Sequence, residues 1–114
     1  MITLHNPKLV GEWYTPESQR EEETPFRVRL RPLTGMQQLE VLSANQGISG
    51  FFRPAAMRLA WRYGVAGTEG ADIPEGLDIE GREIVDYIDE VAILREVADE
   101  ILRISQPSED EKKT

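Results

Sequence analysis

Residues 24–42, TPFRVRLRPLTGMQQLEVL, change from a strand period to a helix period within a few positions, and that change decides the fold. Phe26, Val28 and Leu30 alternate with Arg27, Arg29 and Arg31, so one face of an extended segment is apolar and the other cationic, as a half-buried strand requires. Pro32 closes the strand, because proline has no N–H for a sheet ladder and biases Arg31 toward extended geometry. Thr34 and Gln37 stand at capping-box spacing, and Met36, Leu39 and Leu42 form a narrow apolar stripe at helical intervals. The stretch predicts a strand that feeds a capped helix through a short turn.

Upstream, short apolar runs at 2–4 and 9–14, interrupted by Asn6-Pro7, predict one or two short strands. Residues 15–24, TPESQREEET, hold no apolar side chain large enough to anchor a core and carry Glu21, Glu22 and Glu23 in a row. They predict an exposed, mobile loop at the tip of a long antiparallel hairpin, a length that suits binding better than folding. Downstream, Asn45-Gln46-Gly47 supplies a helix stop. A second helix follows from about Phe52 to Gly64, with Pro54 in its first turn and Phe52, Ala55, Ala56, Leu59, Ala60 and Tyr63 at three- and four-residue spacing. Residues 65–81 carry Gly67, Gly70, Gly76, Gly81 and Pro74 and read as loop with a short strand.

From 82 to 105 the pattern is helical, but the apolar stripe changes sides. Ile84, Val85, Ile88, Val91 and Ala92 share one face, whereas Leu94, Val97, Ala98, Ile101 and Ile104 share another, rotated far beyond the ~20° per heptad that a straight helix drifts. Either the segment breaks near Asp89, which would cap a second helix, or one helix buries two faces, one in its own core and one in a partner. The break is the preferred reading. Residues 106–114, with Pro107, five charges and no apolar side chain, predict a disordered tail.

Composition narrows the classes. A chain of 114 residues fits one domain able to bury roughly two-thirds of its unfolded surface. Its 39% apolar and 30% charged residues suggest a modest core under much solvated surface. A net charge of -8 and a pI near 4.7 argue against nucleic-acid binding, which needs a basic face, and suit a basic partner. With no cysteine there is no disulfide framework, thiolate metal site or cysteine nucleophile. The start, MITLHNPKLVGEW, lacks the basic opening and continuous apolar run of a signal peptide, and no run of ~18 apolar residues suits a membrane span. These features predict a soluble, intracellular protein without a bound cofactor.

No catalytic constellation stands out. His5, the single histidine, has no acid, hydroxyl nucleophile or second ligand at a recognisable spacing and reads as exposed. The run at 21–23 lacks the interspersed Gly and Asn of a calcium loop. Glycines 64, 67 and 70 match neither phosphate-loop fingerprint and read as turn residues. Glu83, Asp86, Asp89 and Glu90 fall on a polar face, where solvation is their ordinary role. Arg27, Arg29 and Arg31 could take phosphate or a partner's carboxylates, but the Glu21–Glu23 run across the hairpin offers an internal partner, and that structural role is preferred. Trp13 and Trp61 read as core, with interface anchoring the other use of such side chains.

In order along the chain, these pieces resemble the tail assembly chaperones of long-tailed bacteriophages. The resemblance lies in Glu12-Trp13 before an acidic loop, in Thr24-Pro25-Phe26 leading to Leu30-Arg31-Pro32-Leu33-Thr34-Gly35, and in Glu40-Val41-Leu42 on the first helix. The run from Trp61-Arg62-Tyr63 to Gly70 is similar to the family's aromatic, glycine-rich segment, departing from it at Thr68 where an aromatic is expected. Ile101-Leu102-Arg103-Ile104-Ser105, followed by acidic residues and Lys112-Lys113, resembles its closing pattern. The resemblance implies a non-enzyme of the host cytoplasm, absent from the mature virion, that binds the tape measure protein and keeps it soluble while the tail tube polymerises. It also implies a longer form made by ribosomal frameshifting, which would reach the tail tube protein, and Lys112-Lys113 fits a slippery A-rich run.

A chaperone for a helical client needs an exposed apolar strip. On the sequence, Leu94, Val97, Ile101 and Ile104 are the candidates, for a client helix or for homo-oligomer formation, with Arg27, Arg29 and Arg31 as a second candidate surface. The rival reading is a structural virion subunit of the head–tail joining or tail-completion type, with ring contacts made by the arginine strand and acidic loop. The fold expected is α+β: an N-terminal antiparallel hairpin packed on three or four helices in a single domain over 1–105, with a disordered charged tail at 106–114.

Overall fold

Strand β2, Arg27–Leu30, forms where the alternating pattern places it and becomes the centre of a three-stranded antiparallel sheet. The computed structural model describes residues 2, 4–6, 10–45, 53–71 and 83–106. On one side β2 pairs with β1, Trp13–Tyr14, with Trp13 opposite Arg29 and Tyr14 opposite Val28. On the other it pairs with β3, Val65–Glu69, in the register Arg27 to Glu69, Val28 to Thr68 and Arg29 to Gly67, with an irregularity before Leu30 meets Val65. The fold is α+β, and the short strand expected within 65–81 extends the hairpin into a sheet.

Between β2 and β3 run α1, Gly35–Ala44, and α2, Pro54–Gly64; α3, Val91–Ser105, closes the described chain. The Thr34–Gln37 capping box forms in both directions: Thr34 Oγ1 accepts from the Gln37 amide at 3.1 Å, and Gln37 Oε1 accepts from the Thr34 amide at 2.9 Å. Pro54 occupies the first turn of α2, where a missing N–H costs nothing. Phe52 and Gly47, expected at this helix start and at the preceding stop, lie outside the described residues.

Segment 82–105 does break. Ile84–Tyr87 make one turn of 3-10 helix, and α3 begins only at Val91. The expected cap, Asp89, is not used: Glu90 holds the capping position without a side-chain hydrogen bond. Of the first apolar group only Val85 is buried, while Val91 is 61% exposed.

One core joins Phe26, Val28, Leu30 and Leu33 to Val41 of α1, to Ala56, Met57, Ala60 and Trp61 of α2, and to Ile93, Val97, Ala98 and Ile101 of α3. Trp61 is core as expected, and its Nε1–H donates to the Leu94 carbonyl at 3.1 Å. Arg31 N–H donates to the Gly64 carbonyl at 2.8 Å, tying the end of β2 to the end of α2.

The loop at 15–24 joins the antiparallel strands β1 and β2 and is exposed at Glu17, Ser18 and 20–24, as expected, but its first part is anchored. Pro16 is fully buried, and Glu17–Gln19 form a 3-10 turn. The Glu17 amide donates to both carboxylate oxygens of Glu96 on α3, at 2.9 and 3.2 Å, and Gln19 Oε1 accepts from the Phe26 amide at 3.2 Å. Polar anchors and one proline do here what an apolar side chain was expected to be needed for. Of the strand structure expected at 9–14, the described residues form Trp13–Tyr14 alone; Ile2 and Leu4 are exposed, and Leu9 and the segment 107–114 lie outside the described residues.

Candidate interaction surfaces

The α3 stripe is core, not surface. Val97 and Ile101 are fully buried, and Leu94 and Ile104 are half-buried against the same cluster. The rotation that suggested a second, partner-facing side arises from the break at 88–90: Ile84, Val85 and Ile88 reach the core from before α3, whereas Val91 and Ala92, on the first turn of α3, are exposed. Val97 and Ile101 therefore present no exposed apolar strip, and Leu94 and Ile104 only part of one.

The apolar stripe that is exposed is that of α1. Met36 is 68% exposed, and Leu39 and Leu42 are each 59% exposed, whereas Val41 is the residue of α1 that is buried. The reason lies in the polar partners. Gln37 is committed to the cap, and Gln38 Nε2 donates to the Ser105 carbonyl at 3.3 Å and the Leu33 carbonyl at 3.5 Å. Those bonds turn the glutamine side of α1 inward and the Met36–Leu39–Leu42 side out. Beside this row a shallow groove of about 450 Å³ runs between α1 and α2, lined by Met36, Leu39, Glu40, Ser43, Ala44 and Leu59. Glu40 accepts a hydrogen bond from the Tyr63 hydroxyl of α2, and that bond raises the Tyr63 phenol above its ordinary value.

The arginine strand divides three ways. Arg27 pairs with Glu69, its register partner on β3, and its guanidinium stands 5.7 Å from the centre of the Trp13 ring. Arg29 is exposed and donates through Nε to the Gly11 carbonyl at 3.3 Å. Arg31 is half-buried, with Nε buried and without a hydrogen-bond partner among the described residues. The acidic run is not the partner of this strand: sheet register delivers Glu69 instead. Trp13, expected in the core, is 39% exposed on the outer face of the sheet.

Two of the acidic residues at 83–90 have partners. Arg58 pairs with Asp86 at 2.9 Å and Arg62 with Glu83, stapling α2 to the 3-10 turn. Asp89 and Glu90 are exposed, as is His5. Among the described residues no group of three or more His, Cys, Asp or Glu is placed to hold a metal ion, and no helix is long and apolar enough to cross a membrane. A second cleft, of about 390 Å³, lies between β1 and the C-terminal half of α3, walled by Trp13, Tyr14, Leu30, Pro32 and Ile104. Its charged wall includes the Arg103–Glu100 pair, in which the carboxylate and guanidinium satisfy each other.

No family model, curated protein or solved structure matches the chain. The surface that sequence reasoning missed carried one signal: the Met36–Leu39–Leu42 row and Val41 cannot share a face, since 100° per residue sets Val41 well away from Leu39.

Proposed function

We propose that this chain is a tail assembly chaperone of a long-tailed phage, acting by binding rather than catalysis. It would hold the tape measure protein soluble in the host cytoplasm while the tail tube forms, and leave before the virion is complete. The observation that carries this reading is the apolar row Met36, Leu39 and Leu42, presented to solvent on a capped helix whose opposite face supplies the core. A fold that takes Val41 and part of Ala44 from α1 gains nothing from three exposed apolar side chains. A helical client gains a docking strip.

The test is co-expression with the phage tape measure protein, followed by size-exclusion chromatography with light scattering on the soluble fraction. A soluble complex found only when both chains are present is the expected result. If the tape measure protein stays insoluble and this chain elutes alone, or if the chain is found in purified particles, the chaperone reading fails and a structural virion subunit takes its place.

A further inference from the structure

Resting on the chaperone reading above, we infer that the α1–α2 groove takes an amphipathic helix whose apolar row is flanked by Lys or Arg, and that Glu40 selects for the positive flank. The apolar row spans seven residues of helix, six rises or about 9 Å, and is one side chain wide. That shape fits a single helix laid along it. The three side chains expose on the order of 300 Å² together, well below the ~800 Å² per partner of a stable dimer.

Charge decides between the remaining occupants. Among the described residues lining the groove, Glu40 is the only ionisable one. The nearby arginines are engaged elsewhere: Arg58 and Arg62 pair with Asp86 and Glu83, and Arg53, the residue before α2, stands past the far end of α1, where its amide donates to Asn45 Oδ1. A second copy of the chain would bring another Glu40 toward this one and add its own net charge of -8. A basic-flanked helix meets Glu40 with opposite charge and covers Met36, Leu39 and Leu59 with its apolar side. So small a contact gives weak binding per copy, and several copies along one long client would supply the strength.

The experiment titrates the isotope-labelled full chain with two synthetic helical peptides sharing one apolar row, one flanked by Lys and one by Glu. At low salt the Lys-flanked peptide should shift the amides of Met36, Leu39, Glu40, Leu42 and Leu59 and bind at least about fivefold more tightly than its Glu-flanked twin. Glu40→Gln, which keeps an acceptor for Tyr63, should abolish the discrimination, and Glu40→Lys should invert it. Equal binding of the two peptides, shifts that map elsewhere, or dimerisation through the row in light scattering would overturn the inference. The two readings separate cleanly. A soluble tape-measure complex that survives Leu39→Glu leaves the chaperone standing and removes the groove. Peptide selectivity as described, with no complex formed by the unsubstituted chain, does the reverse.

Discussion

A methyl group added at position 70 has nowhere to go. Gly70 has φ +76°, in the left-handed region, and a Cβ there would lie 2.7 Å from the Pro25 carbonyl carbon and 3.1 Å from Phe26 Cα. Both are backbone atoms, so Gly70→Ala should cost at least about 2 kcal/mol and lower the melting temperature by about 10 °C, read by calorimetry. Gly64 is constrained differently. Its Cβ would fall 2.7 Å from Ile101 Cδ1, a side chain with no room to retreat, so Gly64→Ala should cost about 1–3 kcal/mol. Ile101→Ala removes all three of the side-chain atoms that this Cβ would meet, Cγ2, Cγ1 and Cδ1, and the double variant should therefore lose less stability than the two single changes added together. Tyr14 gives a pH signature. Partial burial first, and then its 2.6 Å hydrogen bond to Glu96, push the Tyr14 phenol up to about 12. Unfolded tyrosine titrates near 10, so this contribution is complete below about pH 10 and is lost as pH rises toward the folded value. Tyr14→Phe should cost about 1 kcal/mol at neutral pH and flatten that alkaline loss in urea titrations.

At the scale of elements, the apolar stripe of α1 is exposed and the centre of the α3 stripe, Val97 and Ile101, is buried. Substitution on the outer row, Leu39→Glu, should leave stability within about 0.5 kcal/mol, whereas Ile101→Ala on α3 should cost about 2–5 kcal/mol. Thr34→Ala removes one half of the capping box and should cost about 1 kcal/mol, with unfolding in urea as the common measurement. β2 was legible because strict alternation leaves no other face to bury, and the capping box because its two partners lie three residues apart. The break near Asp89 was legible because no straight helix turns its stripe so far. The inner face of α1 was not legible, because Gln38 reads as a surface residue until Leu33 and Ser105 are placed beside it. The partner of Arg27 was hidden for a similar reason. Glu69 reaches it only through the β2–β3 register, which depends on α1 and α2 returning the chain, whereas Glu21–Glu23 were merely near in sequence. The exposure of the acidic run was legible from its missing apolar side chains, whereas the anchor of Glu17 was not, because Glu96 lies about eighty positions away.

For the whole molecule, an excess of eight negative charges acts against the compact state. The four ion pairs described, Arg27–Glu69, Arg58–Asp86, Arg62–Glu83 and Arg103–Glu100, lie at the surface and contribute little each. Raising salt from about 10 to 150 mM should therefore raise the melting temperature, because screening relieves more repulsion than it removes attraction. The Glu96 carboxylate also sets an order in time. It is the shared acceptor for Tyr14 and Glu17, so the first corner of the chain cannot settle until the last helix exists to receive it. During synthesis, the turn at Glu17–Gln19 waits for α3 to leave the ribosome, and a nascent chain stalled before Val91 should remain open to protease there. In the finished protein, exchange of the Glu17 amide should keep pace with the undocking of α3, making one N–H a clock for the far end of the molecule.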